Sequence, residues 1–193
     1  MDRKETTEFL TEVLIANKLT DRKYYAKEVS VDYGTDRVKR VDVMQFVPQG
    51  VVYGSDIEKG KFICYEIKSC KRDVFSGHGL NFLGEENYIV TTMQTYKDIQ
   101  EHLRNLELDK YIRENYPESS THFGILVPVP AKIDLRNVKA TYEEYENPTE
   151  LGGKPSDWKL QTVVPCRNGR RSRSMIELLF CMLRSKHNYS NHK

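Results

Sequence analysis

The sequence predicts an α/β protein in which helices flank a central mixed β-sheet. Three observations favour this class: an amphipathic helical pattern at 5–19, a series of short apolar segments typical of strands, and a charged segment of helical period among them. The chain has 193 residues, 38% of them hydrophobic, which suits one domain with one core. We therefore expect a single domain over 1–193, with a helical insertion near 93–117 and a C-terminal helix near 174–186.

The first half of the chain is expected to form a helix followed by four strands. Phe9, Leu10, Val13 and Leu14 repeat at helical spacing within the first helix. The strands are expected at 28–33, 37–46, 61–68 and 87–92. The first two strands flank a Gly-Thr-Asp turn and should form a hairpin. A short polar helix is expected from Ser69, before a glycine-rich break.

The second half of the chain is expected to contain two more strands and a final helix. Helical period continues to Pro117, and prolines close a strand at 121–130. An acidic segment with Gly and Pro at 142–157 is predicted to be a loop. A last strand follows from Trp158. The C-terminal helix is mostly apolar, so we expect it to be buried on several sides.

Composition excludes several classes of protein. Lys and Arg number 30 and Asp and Glu 28, so the net charge of +2 does not by itself indicate a nucleic-acid-binding protein. The four cysteines form no Cys-x-x-Cys pair, which argues against a zinc site and favours free thiols in a reducing compartment. The N-terminal residues lack the apolar run of a signal peptide, and no apolar run approaches the ~20 residues of a membrane span. These observations predict a cytoplasmic protein without membrane contact.

Charged residues interrupt two otherwise apolar strands. Side chains alternate faces along a strand, so Glu66 and Lys68 share one face, roughly 7 Å apart, while Ile67 points to the other. Asp42 interrupts the preceding strand between Val41 and Val43. If the two strands are neighbours, two carboxylates and one ammonium group converge on the sheet surface.

This set of groups favours a site for a hard divalent cation. Two close carboxylates repel each other unless a cation or a proton intervenes. Mg²⁺ prefers oxygen ligands, and the carbonyl of Ile67 could add one to those of Asp42 and Glu66. Lys68 would then orient water or stabilise a phosphate oxygen during phosphodiester hydrolysis. The alternative is a salt-bridge network at a sheet edge.

The order of these residues resembles the PD-(D/E)xK nuclease superfamily. Asp42 on one strand is followed by Glu66-Ile67-Lys68 on the next, after a helix and a strand. The segment from Tyr65 to Thr91 is similar to the MmcB-type DNA repair branch, although Val41 stands where the superfamily motif has proline. The resemblance implies a restriction-endonuclease-like core. It also implies a nuclease that uses Mg²⁺ or Mn²⁺ and acts on DNA, in repair or in the processing of phage or mobile-element DNA.

The resemblance also implies a glutamate on the first helix near the metal. The helical neighbours of Glu8 are polar, whereas Glu12 borders Phe9 and Ile15 on the buried face. Glu12 is therefore the better candidate for a further catalytic residue. The alternative is that both are solvated helix charges.

Two basic segments are candidates for phosphate binding. Lys71 and Arg72 follow the Glu66-x-Lys68 strand. The segment 167–173, called the arginine segment below, precedes a helix whose start resembles a capping box. Its four arginines are Arg167, Arg170, Arg171 and Arg173. Arginines beside a helix N-terminus suit the phosphates of a DNA backbone; the alternative is a solvated turn.

Two other functions remain open at this point. A non-catalytic DNA-binding module could keep the nuclease fold, and a structural or partner-binding domain could carry the motif by coincidence. Oligomeric state is also open, with a homodimer among the alternatives.

Overall fold

The computed structural model describes residues 1–20, 23–50, 54–134 and 136–190. These residues form a six-stranded sheet flanked by helices. The strands are β1 (Tyr24–Val31), β2 (Lys39–Val47), β3 (Lys61–Lys68), β4 (Glu86–Thr91), β5 (Gly124–Pro130) and β6 (Trp158–Val164). The helices are α1 (Arg3–Lys18), α2 (Gly54–Glu58), α3 (Lys71–Val74), α4 (Met93–Arg104), α5 (Glu107–Asn115), α6 (Val138–Glu146) and α7 (Met175–Ser190).

The sheet is mixed, which confirms the predicted α/β class. Its strands lie in the order β1-β2-β3-β4-β5-β6. The neighbours β3, β4 and β5 run parallel, whereas β1 with β2, β2 with β3, and β5 with β6 run antiparallel. Parallel neighbours need a crossover connection. The one between β3 and β4 contains α3 and a glycine-rich loop, and the one between β4 and β5 contains α4 and α5.

Apolar side chains hold helices against both faces of the sheet. On one face, Leu10 and Leu14 of α1 pack with Val43, Ile63 and Ile67. Leu10 and Leu14 are four residues apart, about one helical turn. Ile63 and Ile67 are also four apart, which is twice the two-residue period of a strand. The α1 face therefore takes the odd-numbered residues of β3.

Two groups of helices cover the opposite face, where the even-numbered side chains of β3 also lie. Leu178 and Met182 of α7 pack with residues of β1, β2 and β3, including Phe62. Ile99 of α4 and Ile112 of α5 belong to a cluster with residues of β4 and β5. Because side chains alternate along β3, Glu66 and Lys68 emerge on this second face.

The structure differs from the sequence prediction in the acidic segment at 142–157. Instead of a loop throughout, α6 continues to Glu146. The side chain of Asn137 caps this helix by accepting the N–H of Ala140 at 3.2 Å. The carboxylate of Glu144 is buried and accepts hydrogen bonds from the backbone N–H and the hydroxyl of Thr149. These polar contacts stabilise a helix that the glycines and prolines farther along had obscured.

The long helical stretch predicted at 93–117 consists of two helices. Leu106, between α4 and α5, has a left-handed backbone with φ of 56°. A single left-handed residue ends one helix and redirects the next. Among the described residues, no helix has the length and apolar character needed to cross a lipid bilayer.

Candidate active site

Strands β2 and β3 separate where the predicted carboxylates lie. Their pairing ends with Val43 opposite Tyr65, although β2 extends back to Lys39 and β3 continues to Lys68. One further step in the same register sets Asp42 opposite Glu66. In place of a backbone ladder bond, the Asp42 carboxylate accepts the N–H of Ile67 at 2.8 Å. This charge-assisted bond fixes the Asp42 carboxylate against β3.

Glu66 is a fully buried carboxyl group whose hydrogen bonding is incomplete. Its Oε1 accepts the backbone N–H of Asn81 at 3.0 Å. Its Oε2 has no hydrogen-bond donor in the described part of the chain when both carboxyls are ionised. Burial raises the pKa of Glu66 well above its usual range, and the charge of Asp42 raises it further, while Lys68 opposes the shift. A buried oxygen of this kind requires a proton or a cation.

Lys68 lies beside Glu66 and is nearly as buried, with 4% of its surface exposed. Its Nζ donates a hydrogen bond to the carbonyl of His78 at 2.9 Å. The same ammonium group offsets the charge of Glu66. The structure therefore brings the three predicted polar residues, Asp42, Glu66 and Lys68, to one place.

The glycine-rich loop after α3 closes over this pair of charged side chains. A Cβ atom on Gly79 would lie 2.9 Å from Oε2 of Glu66 and 2.9 Å from Nζ of Lys68. Gly79 also has a left-handed backbone, with φ of 65°. The position therefore needs glycine for both conformation and space. The sequence analysis had expected only a glycine-rich break after the short helix at this point.

Glu28 is a third acidic residue of this region that the sequence analysis missed. The β1–β2 register pairs Lys27 with Val43 and Val29 with Val41, so Glu28 falls opposite Asp42. Glu28 has a left-handed backbone inside β1, with φ of 53°. Burial raises its pKa, and Asp42 adds to the shift, while Arg40 opposes it.

The signal for Glu28 was present but incomplete. Glu28 precedes the alternating pair Val29 and Val31, which marks it as a residue of the polar side of a strand. Only the hairpin register places it beside Asp42. The connection between β1 and β2 is longer than the two-residue turns that set register from sequence.

A cleft of about 920 Å³ opens onto this region. Its wall includes Glu28, Asp42, Ile67 and Lys68, whereas Glu66 lies behind the wall. Ile67 belongs both to the cleft wall and to the core cluster beneath α1. Five cationic side chains, called the rim cations below, border the same cleft. They are Arg3, Lys27, Arg37, Lys39 and Arg40.

Three of the rim cations form ion pairs with acids of the cleft. The distances are 2.6 Å for Arg3 with Asp73, 2.6 Å for Lys39 with Glu118 and 2.7 Å for Arg40 with Glu28. The Arg3 and Arg40 side chains remain 65% and 61% exposed. A guanidinium group has five N–H donors, so each can bind a further anion while it holds its carboxylate.

The structure does not bring Glu12 to the cleft. Helix α1 presents Arg3, Thr7 and Thr11 to it, at spacings of four residues. Glu12 is turned about 100° beyond Thr11 around the helix, and its side chain is exposed. Glu8 is also exposed and pairs with Lys4 of its own helix. The two glutamates therefore occupy the solvated side of α1.

The arginine segment is partly neutralised by acids from distant parts of the chain. Arg171 pairs with Glu85 at 2.5 Å. Arg173 pairs with Asp32, Glu118 and Glu177 at 2.8, 2.6 and 3.3 Å. These arginines therefore join separate segments of the fold.

The remaining predicted phosphate-binding residues are exposed. Arg167 and Arg170 have exposed side chains without an ion pair in the described residues. Lys71 and Arg72 are exposed in α3, directly after Lys68. The hydroxyl of Ser174 caps α7 by accepting the N–H of Glu177 at 3.2 Å. The predicted helix start is present, although its acid also serves Arg173.

The oxygen atoms at this point suit a hard divalent cation. Asp42 and Glu66 supply two carboxylates, Ile67 lies in the cleft wall, and Oε2 of Glu66 has no hydrogen-bond donor among the described residues. Within the described ranges, no three His, Cys, Asp or Glu side chains are grouped closely enough to hold one ion. Mg²⁺ commonly binds to one or two carboxylates and keeps several waters, so this donor set fits it.

Searches against protein-family models, curated proteins and solved structures found no match to this chain.

Proposed function

We propose that this protein is a divalent-metal-dependent nuclease of the PD-(D/E)xK type that hydrolyses DNA phosphodiester bonds. The observation that carries the proposal is the convergence of Asp42, Glu66 and Lys68 where β2 and β3 separate beside a cleft. A divalent cation held between the two carboxylates would supply the partner that the buried Oε2 of Glu66 lacks among the described residues.

The proposed roles follow from the position of each group. Asp42 and Glu66 would hold Mg²⁺ or Mn²⁺, with the Ile67 carbonyl as a further ligand. The cation would activate water and neutralise charge on the phosphate. Lys68 lies beside Glu66 and reaches the cleft wall, where it can orient water or bind a phosphate oxygen. The rim cations would hold the adjoining backbone phosphates.

The proposal includes a cellular setting and a partner. The four cysteines are free thiols, which suits the cytoplasm. DNA is the expected partner, in repair or in the processing of phage or mobile-element DNA, with either a monomer or a homodimer as the active form.

One observation favours a second function, a non-catalytic DNA-binding module. Glu66 is completely buried, and Lys68 already donates to the carbonyl of His78. A loop that seals both groups would leave the basic cleft able to bind DNA without cutting it.

A cleavage assay separates the two functions. Supercoiled plasmid and single-stranded DNA are incubated with Mn²⁺ and the wild type, Asp42→Asn, Lys68→Met or Glu12→Gln. We expect cleavage by the wild type and by Glu12→Gln, and a loss of about 100-fold or more in the other two. Lys68→Met keeps the length of the buried side chain, and circular dichroism checks that each variant is folded.

The opposite outcomes are equally clear. A wild type that binds DNA without cutting either substrate would support the non-catalytic module. Calorimetric titration with Mn²⁺ tests the cation site directly: equal affinity in the wild type and Asp42→Asn would refute metal binding at this position.

A further inference from the structure

Three acidic residues lie at one level across three neighbouring strands. Extending the two registers sets Glu28 of β1 opposite Asp42 of β2, and Asp42 opposite Glu66 of β3. Adjacent strands lie about 4.8 Å apart, and side chains directly opposite each other interact. This set is called the acidic row below. Like charges directly opposite are destabilising, so the row needs compensating cations.

Two members of the acidic row already have a compensating group. Lys68 offsets the charge of Glu66, and Arg40 pairs with Glu28 at 2.7 Å. Asp42, in the middle, accepts one backbone N–H and lies between two acids. The donor-free oxygen of Glu66 lies beside it. The compensation is therefore weakest at the centre of the row, the proposed cation position.

Glu28 is held toward the cleft by an unusual backbone. A glutamate with φ of 53° is strained, because its Cβ crowds the backbone. Ala26, Val29 and Val31 of β1 pack in the same core cluster. Two residues lie between Ala26 and Val29, whereas strict strand alternation would leave one, as between Val29 and Val31. The left-handed residue Glu28 accommodates the extra residue, and it lies in the cleft wall.

The geometry points to Glu28 as a positioning residue for the divalent cation, acting through the hydration water rather than as a direct ligand. An indirect role follows because no three such side chains in the described structure are grouped closely enough to hold one ion. A cation with two carboxylate ligands keeps several waters, and a neighbouring carboxylate can accept their hydrogen bonds. This inference rests on the proposed function, since it requires a cation at Asp42 and Glu66.

Arg40 supplies the matched control for Glu28. Glu28→Gln removes the negative charge from the acidic row and weakens the ion pair. Arg40→Gln weakens the same ion pair but leaves the carboxylate in place. If Glu28 serves only the ion pair, both changes should act alike. If Glu28 positions the cation, Glu28→Gln should weaken cation binding and Arg40→Gln should not.

Mn²⁺ affinity, measured by calorimetry, is the primary readout. We expect Glu28→Gln to bind Mn²⁺ about 10-fold more weakly than the wild type, the usual scale for residues behind direct ligands. Arg40→Gln should bind as tightly as the wild type or more tightly. Affinity within two-fold of the wild type in Glu28→Gln, or equal weakening in both variants, would overturn the inference.

A second pair of variants covers the case in which Glu28→Gln does not fold. Glu28→Asp and Glu28→Asn both tolerate a left-handed backbone, and they differ only in charge. We expect the Asp variant to bind Mn²⁺ more tightly than the Asn variant, and equal affinities would contradict the inference. Failure here is distinct from failure of the proposed function, in which the wild type and Asp42→Asn would bind Mn²⁺ equally.

Discussion

The acidic row and the arginine segment are both charge clusters, but the fold treats them in opposite ways. The acids of the row are far apart in sequence, and the sheet brings them together with one oxygen lacking a donor. The arginines are adjacent in sequence, and the fold gives Arg171 and Arg173 four acidic partners between them.

The two clusters correspond to two different charge patterns in the sequence. A run of like charges in sequence says nothing about the partners that other segments will supply. A charge inside an apolar strand is costly to bury without a partner, so the fold must provide a reason for it. The strand pattern is therefore the stronger basis for a functional proposal.

The largest expected effect comes from filling the space beside Glu66 of the acidic row and its neighbour Lys68. Gly79→Ala would add a Cβ at 2.9 Å from both Glu66 Oε2 and Lys68 Nζ and displace them. We expect cleavage to fall by about 100-fold, since misplacement by ~1 Å costs this much. A cleavage assay on plasmid DNA with Mn²⁺ measures the loss.

Gly77→Ala provides the control for Gly79→Ala. Gly77 also has a left-handed backbone, with φ of 79°, but a Cβ there meets no atom within 4 Å. The two variants share backbone strain and differ in the contact with Glu66 and Lys68. Equal activity in both would mean that the geometry of this pair does not matter for cleavage.

A smaller effect is expected on DNA binding. Here the cleft beside the acidic row and the arginine segment can be compared by replacing one arginine in each. Arg37 borders the cleft and has no ion pair in the described structure, whereas Arg171 is engaged by Glu85. Arg37→Ala should flatten the plot of log affinity against log salt by about one unit, as expected for one lost phosphate contact. Arg171→Ala should leave the slope unchanged, because the Arg171 side chain is only 28% exposed in addition to its pairing with Glu85.

Fluorescence anisotropy on two unrelated duplexes at several salt concentrations tests this difference. Loss on both duplexes indicates phosphate contact, because backbone contacts carry no sequence information. A slope that flattens for Arg171→Ala and not for Arg37→Ala would reverse the comparison and restore the arginine segment as the DNA-binding surface.

The sequence predicted the fold class and part of the site because these depend on local pattern. Strand β3 was expected over 61–68 and spans Lys61–Lys68. Asp42, Glu66 and Lys68 were found because charges interrupt apolar alternation within single strands. Their common location required that β2 and β3 be neighbours and that their register set Asp42 opposite Glu66, as it does.

The features that the sequence did not predict depend on strand register and on contacts between distant segments. Glu28 becomes part of the site only through its position opposite Asp42, which a long hairpin connection leaves open. Glu12 was favoured by apolar neighbours, but the cleft lies on the other side of α1, beside Thr7 and Thr11. The partners of Arg173 come from three separate segments, which local sequence pattern cannot anticipate.

The smallest expected effect concerns the stability that the arginine segment provides. The Arg173 side chain is 21% exposed and joins Asp32 after β1, Glu118 after α5 and Glu177 in α7. An isolated exposed pair contributes ~0.2–1 kcal/mol, and a network of three acids on one guanidinium contributes more.

Arg173→Gln should therefore lower the free energy of unfolding by about 1–2 kcal/mol, whereas Arg170→Gln should change it by less than about 0.5 kcal/mol. Urea denaturation of the two variants measures both values. Equal stabilities would show that the acids around Arg173 contribute nothing net to the fold, and the arginine segment would then be as available to phosphate as the rim cations.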